Sequence, residues 1–113
     1  MNLGSPEALA ALSALAHEHR LAVFRLLVQA GPEGMAAGEI AEAMGMAPSS
    51  LSFHLAHLNR AGLIAQQRES RSLIYSADFA RMNALLGFLT ENCCAGRACL
   101  PAAKPAQTKR KRA

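Results

Sequence analysis

Up to Gly62 the apolar positions recur at three-to-four spacing, the period of a helix that buries one face, and beyond it they shift to the shorter period of strands. Leu9, Leu12, Leu15 and Ala16 predict a first helix. Ser5-Pro6-Glu7 ahead of them predicts its start, because a Ser cap accepts an orphan amide bond and Pro fits the first helical position. A second helix is predicted over about His17 to Ala30, with Leu21, Phe24, Leu27 and Val28 on one face and Arg20 and Arg25 off it. Gly31-Pro32 stops it. "MAAGEIAEAMGM" gives a short third helix around Ile40, Ala41 and Met44, closed by Gly45. A fourth begins at Pro48 and Ser49, buries Leu51, Leu55 and Leu58, and ends at Gly62. Only Gly45 to Ala47 separate the third helix from the fourth, the joint of a helix-turn-helix.

After Gly62, "LIAQQRE" and "SLIYSA" are short β-prone runs on either side of a polar tip, Glu69 to Ser72, and predict a β-hairpin. Asp78 caps a last helix carrying Phe79, Met82, Leu86 and Leu89, which leads into Cys93 and Cys94. Past Ala95, Gly96, Pro101 and Pro105 discourage further helix, and the remainder has too little apolar content to fold. The expected organisation is one domain over residues 1–94, mainly α with a small β-hairpin, and a loose basic tail over 95–113 that contains Cys99.

Composition changes this picture in three ways. A chain of 113 residues buries only ~60–70% of its unfolded surface, and with 51% apolar but only 4% aromatic residues and no Trp its core must be built from Leu, Ala, Val, Ile and Met. So much apolar surface on so small a domain points to a second copy of itself. There is no apolar run of the ~18 residues a membrane span needs, and "MNLGSPEALAAL" lacks the basic start and apolar block of a secretion signal, so a cytoplasmic protein without a membrane partner is expected. An odd number of cysteines, three, in that setting argues for thiols or ligands rather than a disulfide framework. The net charge of +4 favours an acidic polymer as partner, yet Lys109 to Arg112 alone supply it. Any nucleic-acid role of the folded part must rest on where its charges sit.

The element order, with "SSLSFHLAHLNRAGLI" leading into "QQRESRSLIYSA", resembles the winged helix-turn-helix repressors of the ArsR/SmtB family of metal-responsive regulators. The likeness covers roughly residues 7–92, and "LAHEHRLAVFRLL" is similar to the "LADPTRLRILxLL" run common in that family's second helix. The resemblance implies a homodimer paired through its first and last helices, with operator DNA as partner. A two-fold dimer of this kind presents its fourth helices to successive major grooves ~34 Å apart. With Leu51, Leu55 and Leu58 facing the core, Ser49, Ser50, Ser52, Phe53, His54, His57 and Arg60 fall to the outer face or its edges. Hydroxyls and imidazoles there can bond base edges and phosphates, and Arg60 can bind phosphate or guanine. For Phe53 packing is weighed slightly ahead of contact with a thymine methyl. Arg68 and Arg71 flank the hairpin tip, where they suit phosphate or minor-groove contact.

Family members bind inducers at several places, so the ligands must be found in this chain. The arsenic pattern "ELCVCDL" of the third helix is replaced by "GEIAEAMGM", without cysteine, and the last helix has Asp78 but no histidine for the family's zinc-type site. His17 with His19, and His54 with His57, read as ordinary polar residues: the first pair lies off a common helical face and the second on the DNA-reading face. Cys93, Cys94 and Cys99 remain. Soft thiolates select thiophilic ions, and three without a fourth ligand suit As(III), with Sb(III) sharing its chemistry, whereas zinc prefers four. A Cys93–Cys94 disulfide is strained, since neighbouring Cα atoms lie ~3.8 Å apart and disulfides span ~4.4–6.8 Å. A bridge from either to Cys99 stays open as a redox switch, as does a sensor of Cd, Pb or Hg. The three-thiol trap requires the helix to end near Cys94 so that Gly96 can turn Cys99 back. A vicinal pair after the last helix with a nearby third cysteine resembles one arsenic-responsive branch of the family. An enzyme is not expected: a phosphate-cradling Cys-x5-Arg loop would need Arg where Cys99 and Leu100 stand, and there is no Cys-x-x-Cys.

Overall fold

The protein is described by a computed structural model over residues 3–96. Of the expected loose basic tail over 95–113, residues 97–113, Cys99 among them, lie outside the described residues. The elements follow the predicted order with β1 added: α1 (Ser5–Leu15), α2 (Glu18–Ala30), β1 (Met35–Ala36), α3 (Ala37–Met44), α4 (Pro48–Arg60), β2 (Ile64–Glu69), β3 (Ser72–Ala77) and α5 (Phe79–Leu89). A short 3-10 turn, Cys93–Gly96, follows.

Local chemistry explains most of the boundaries. Pro6 sits in the first turn of α1, although Gly4 rather than Ser5 occupies the cap position, so Ser5 begins the helix instead of capping it. His17 caps α2, its Nδ1 accepting the His19 amide at 3.2 Å. Asp78 caps α5 as expected, accepting the Arg81 amide at 3.0 Å. Gly45 closes α3 in the left-handed region at φ 64°, with its own N–H on the Glu42 carbonyl and the Met46 N–H on that of Ala41. This paired bonding satisfies the last carbonyls of α3 and sets the angle at which α4 departs.

The hairpin pairs β2 and β3 from Ile64 opposite Ala77 to Glu69 opposite Ser72, leaving Ser70 and Arg71 as its turn. One strand was not foreseen. Met35 and Ala36, expected within the third helix segment, pair antiparallel with Tyr75 and Ile74, so the sheet has three strands in the order β1-β3-β2. A two-residue strand is too short to show a period. Helix α3 starts immediately after it.

Val23, Leu27, Ile40, Leu51, Leu58 and Leu63 are fully buried and form the centre of the core between α2, α3, α4 and the sheet. Leu63 also ties the ends together through its backbone: its N–H donates to the Leu58 carbonyl at 3.1 Å, and its carbonyl accepts from the Asp78 N–H at 2.8 Å. The outer helices turn differently from expectation. In α1 the buried positions are Ala8, Ala11 and Ala14, while Leu9 and Leu12 face outward. In α2 Val23 is buried and Leu21 is not; in α5 Leu85 is buried, and Leu86 and Leu89 remain more than half exposed at 54% and 55%. The architecture is a winged helix-turn-helix: α3 and α4 form the motif and the β2–β3 hairpin forms the wing.

Candidate nucleic-acid interface and the C-terminal cysteines

Helix α4 divides as its sequence dictates. Leu51, Leu55 and Leu58 point into the core, while Ser49, Ser50, Ser52, Phe53 and Arg60 are exposed and His57 is half-buried. The helix has no acidic residue in its first turn and carries His57 and Arg60 in its last. Arg68, near the end of β2, and Arg71, in the turn, are both exposed on the wing. A face of hydroxyls, imidazole and guanidinium beside a basic hairpin can hold phosphates and read base edges.

Two residues depart from expectation. Phe53 does not pack into the core: it is 60% exposed, and its ring is T-shaped to those of His57, at 4.7 Å between centroids, and His54, at 5.6 Å. An exposed phenyl on this face suits contact with a thymine methyl. His54, placed at the outer face by the helical stripe, is instead buried at 8% exposure, the lone buried polar side chain among the described residues. It turns toward the start of α2, where its ring lies 4.9 Å from that of His17 and 5.6 Å from that of His19. Arg20 approaches the same ring, with Nη1 3.4 Å from His54 Nδ1 and Nε donating to the Ala14 carbonyl at 2.8 Å. The expected histidine pairs are therefore not the grouping that forms. Arg20 and His54 are 34 positions apart, a separation that no spacing rule in the sequence spans.

Burial lowers the pKa of His54, and His17, Arg20, His19 and His57 add to the effect through their positive charges. The His57 pKa is lowered too, by burial first and then by Arg20, Arg60 and His17. Neutral imidazoles keep one donor and one acceptor each, which suits them to hydrogen bonding rather than to fixed charge.

At the other end of the chain α5 stops at Leu89, earlier than the expected end near Cys94. Thr90 closes it, its hydroxyl donating to the Leu86 carbonyl at 2.9 Å. The backbone then leaves helical geometry: Asn92, Cys94 and Ala95 all have φ between 57° and 59°. Cys93 and Cys94 are exposed on this turn.

A helix-turn-helix domain family matches residues 15–67, the span from the end of α1 into the wing. The chain is 32% identical over 94 residues to the HTH-type transcriptional regulator YgaV of Escherichia coli, covering 83% of this chain and 93% of that one. It superposes on HlyU from Vibrio cholerae with a TM-score of 0.65 at 29% identity, covering 83% and 99% of the two chains. The homodimeric winged helix-turn-helix DNA-binding domain of Mb0332 from Mycobacterium bovis, described as a possible ArsR-family regulator, superposes at 0.61 with 28% identity over 84% and 88%. The chain belongs to the ArsR/SmtB-type family of helix-turn-helix transcriptional regulators. As an ArsR-type protein it is a DNA-binding regulator, with α3 and α4 as its helix-turn-helix and the hairpin as the wing. No helix among the described residues is long and apolar enough to cross a membrane.

Proposed function

We propose that this ArsR-type regulator is a repressor that binds operator DNA as a homodimer and is released when As(III), or Sb(III), joins the thiolates of Cys93, Cys94 and Cys99. The observation that carries the DNA half is the exposed row Ser49, Ser50, Ser52, Phe53 and Arg60 on α4 beside Arg68 and Arg71 of the wing. The homodimer is supported by two features. Mb0332 is described as homodimeric, and Leu9, Leu12, Leu86 and Leu89 stand exposed on α1 and α5, which touch within the chain. A groove of about 400 Å³ lined by Leu15, Leu21, Phe24, Met82, Leu85 and Leu86 continues that apolar face.

The sensor half rests on the end of α5. On a continuing helix Cys93 and Cys94 would point ~100° apart, with Cys99 ~8–9 Å along the axis, and no single ion could hold all three. The helix has already ended at Leu89, and Cys94 sits in a left-handed turn, so the backbone is free of that constraint before either thiol. A pyramidal ion with three sulfurs draws the segment after α5 together, and because α5 contributes to the dimer face, a change at its end alters how the two reading helices are spaced. Release requires the ion to bind the DNA-free dimer more tightly than the operator-bound one.

A second reading, oxidation of a thiol pair that includes Cys99, is favoured by one observation: a solved structure of HlyU is described as its reduced form. A release titration separates the two. Reduced protein on promoter DNA is challenged in turn with arsenite, antimonite, cadmium, zinc and peroxide. Release by arsenite and antimonite supports the three-thiolate sensor; release by peroxide but not by arsenite replaces it with a redox switch.

A further inference from the structure

Helix α4 faces DNA on one side and carries a second kind of chemistry on the other. His17 and His19 begin α2, His54 lies at the middle of α4, and one ring nitrogen from each lies within 4.8 Å of the others. Among the described residues no other three His, Cys, Asp or Glu side chains come together in this way. The rings are tilted by 38° to 51° to one another rather than stacked.

We infer that His17, His19 and His54 form a trihistidine site for a divalent ion of the zinc, cobalt and nickel class, separate from the C-terminal cysteines. Imidazole nitrogen is the ligand these ions favour. Nitrogens ~2.0–2.1 Å from a tetrahedral ion are ~3.3 Å from one another, so the three need to close by at most about 1.5 Å. His17 and His19 are exposed and can make that movement with their side chains, while buried His54 supplies the fixed wall. The exposed side leaves a fourth position for water.

Burial lowers the pKa of His54, with Arg20 beside it adding to the effect, and a neutral imidazole has a lone pair to donate. The present hydrogen bonds show what the ion exchanges. His17 Nδ1 accepts the His19 amide, and Arg20 Nη1 lies against His54 Nδ1. Coordination through Nδ1 takes that lone pair directly; coordination through Nε2 moves the ring proton to Nδ1. Either route ends the contact. No electron transfer is involved, and each bond is a lone pair donated to the ion. Binding therefore trades the cap of α2 and the Arg20 contact for a direct link between α2 and the reading helix.

The test uses the full chain without an affinity tag, with its thiols alkylated by iodoacetamide so that Cys93, Cys94 and Cys99 cannot bind. Cobalt(II) is titrated while the visible bands of tetrahedral cobalt are followed, and zinc(II) is then added as competitor. One cobalt per chain, displaced by zinc, is expected. His19→Gln is exposed and leaves the fold intact, and His17→Asn keeps a side chain able to cap α2; each raises the dissociation constant by about tenfold or more. His57→Gln, which alters the fourth histidine of the chain, leaves it within about twofold of the parent, well short of a lost ligand. Circular dichroism confirms that each variant is folded. The site is overturned if the alkylated parent shows no saturable binding at millimolar cobalt, or if either His19→Gln or His17→Asn binds as tightly as the parent.

Discussion

At the scale of single residues, the proposed DNA face depends on a few side chains whose surroundings set their charge. Arg68 and Arg71 are exposed on the wing, so in the proposed interface each would contribute through phosphate neutralisation more than through shape. Replacing either with Ala should weaken binding to all sequences alike and reduce the slope of log affinity against log salt by ~1. Fluorescence anisotropy at several salt concentrations measures this; an unchanged slope in both variants would remove the wing from the interface. His57 makes a pH prediction. Its pKa is held below the ordinary value by burial, Arg20, Arg60 and His17, so it is neutral at pH 7 in the free protein. DNA phosphates favour the protonated ring and raise its pKa, so binding takes up a proton wherever pH lies between the free and bound values. Operator affinity should therefore rise as pH falls through and below the ordinary ~6.5 of histidine. His57→Gln should flatten that rise; an equal rise in the variant would place the proton elsewhere.

At the scale of elements, the helix-turn-helix was legible because its signals are local: Gly45 at the turn, Pro48 at the start of α4, and a leucine stripe at helical spacing. The facing of α1 and α5 was not. Periodicity marks an apolar stripe but cannot tell a core from a partner, and α1 packs inward through Ala8, Ala11 and Ala14, leaving its larger leucines outside. His54 shows the same limit in reverse: its position on α4 gave no sign of the histidines and arginine that α2 brings over it. Glycine positions allow a direct test of how the elements are held. Gly34 has φ 72°, and a Cβ there would run into the Tyr75 carbonyl, so its lack of side chain is what lets the chain enter β1 beside β3. Gly34→Ala should lower stability by more than about 1 kcal/mol. Gly38 lies in α3 with open space around its Cα, so Gly38→Ala should raise stability by ~0.5–1 kcal/mol through helix propensity. Thermal melts of the two variants in opposite directions confirm the assignment; equal shifts contradict it.

At the scale of the whole molecule, the proposed homodimer would give the exposed leucines that single-chain packing leaves unused a place to be buried. Leu86 and Leu89 contribute little to the core of one chain, so the double substitution Leu86→Glu with Leu89→Glu should leave a folded protein. It should sediment as a monomer and lose about tenfold or more of its operator affinity, because the two reading helices no longer bind as one unit. A variant that remains dimeric would move the interface away from α5. The same helix links the dimer to the cysteines. The sensor role proposed for them was legible only as a chemical pattern, three thiols without a fourth ligand, and the early end of α5 at Leu89 would supply the slack that pattern needs.

The measurement that tests the account most directly is anisotropy of labelled operator DNA held by the reduced full chain during arsenite titration, run in parallel with Cys93→Ser, Cys94→Ser and Cys99→Ser. The parent should leave the DNA as arsenite approaches one ion per chain, while each variant binds DNA with the parent's affinity and stays bound. A parent that stays on the operator at saturating arsenite, or three variants that are released as readily as the parent, would contradict the three-thiolate sensor.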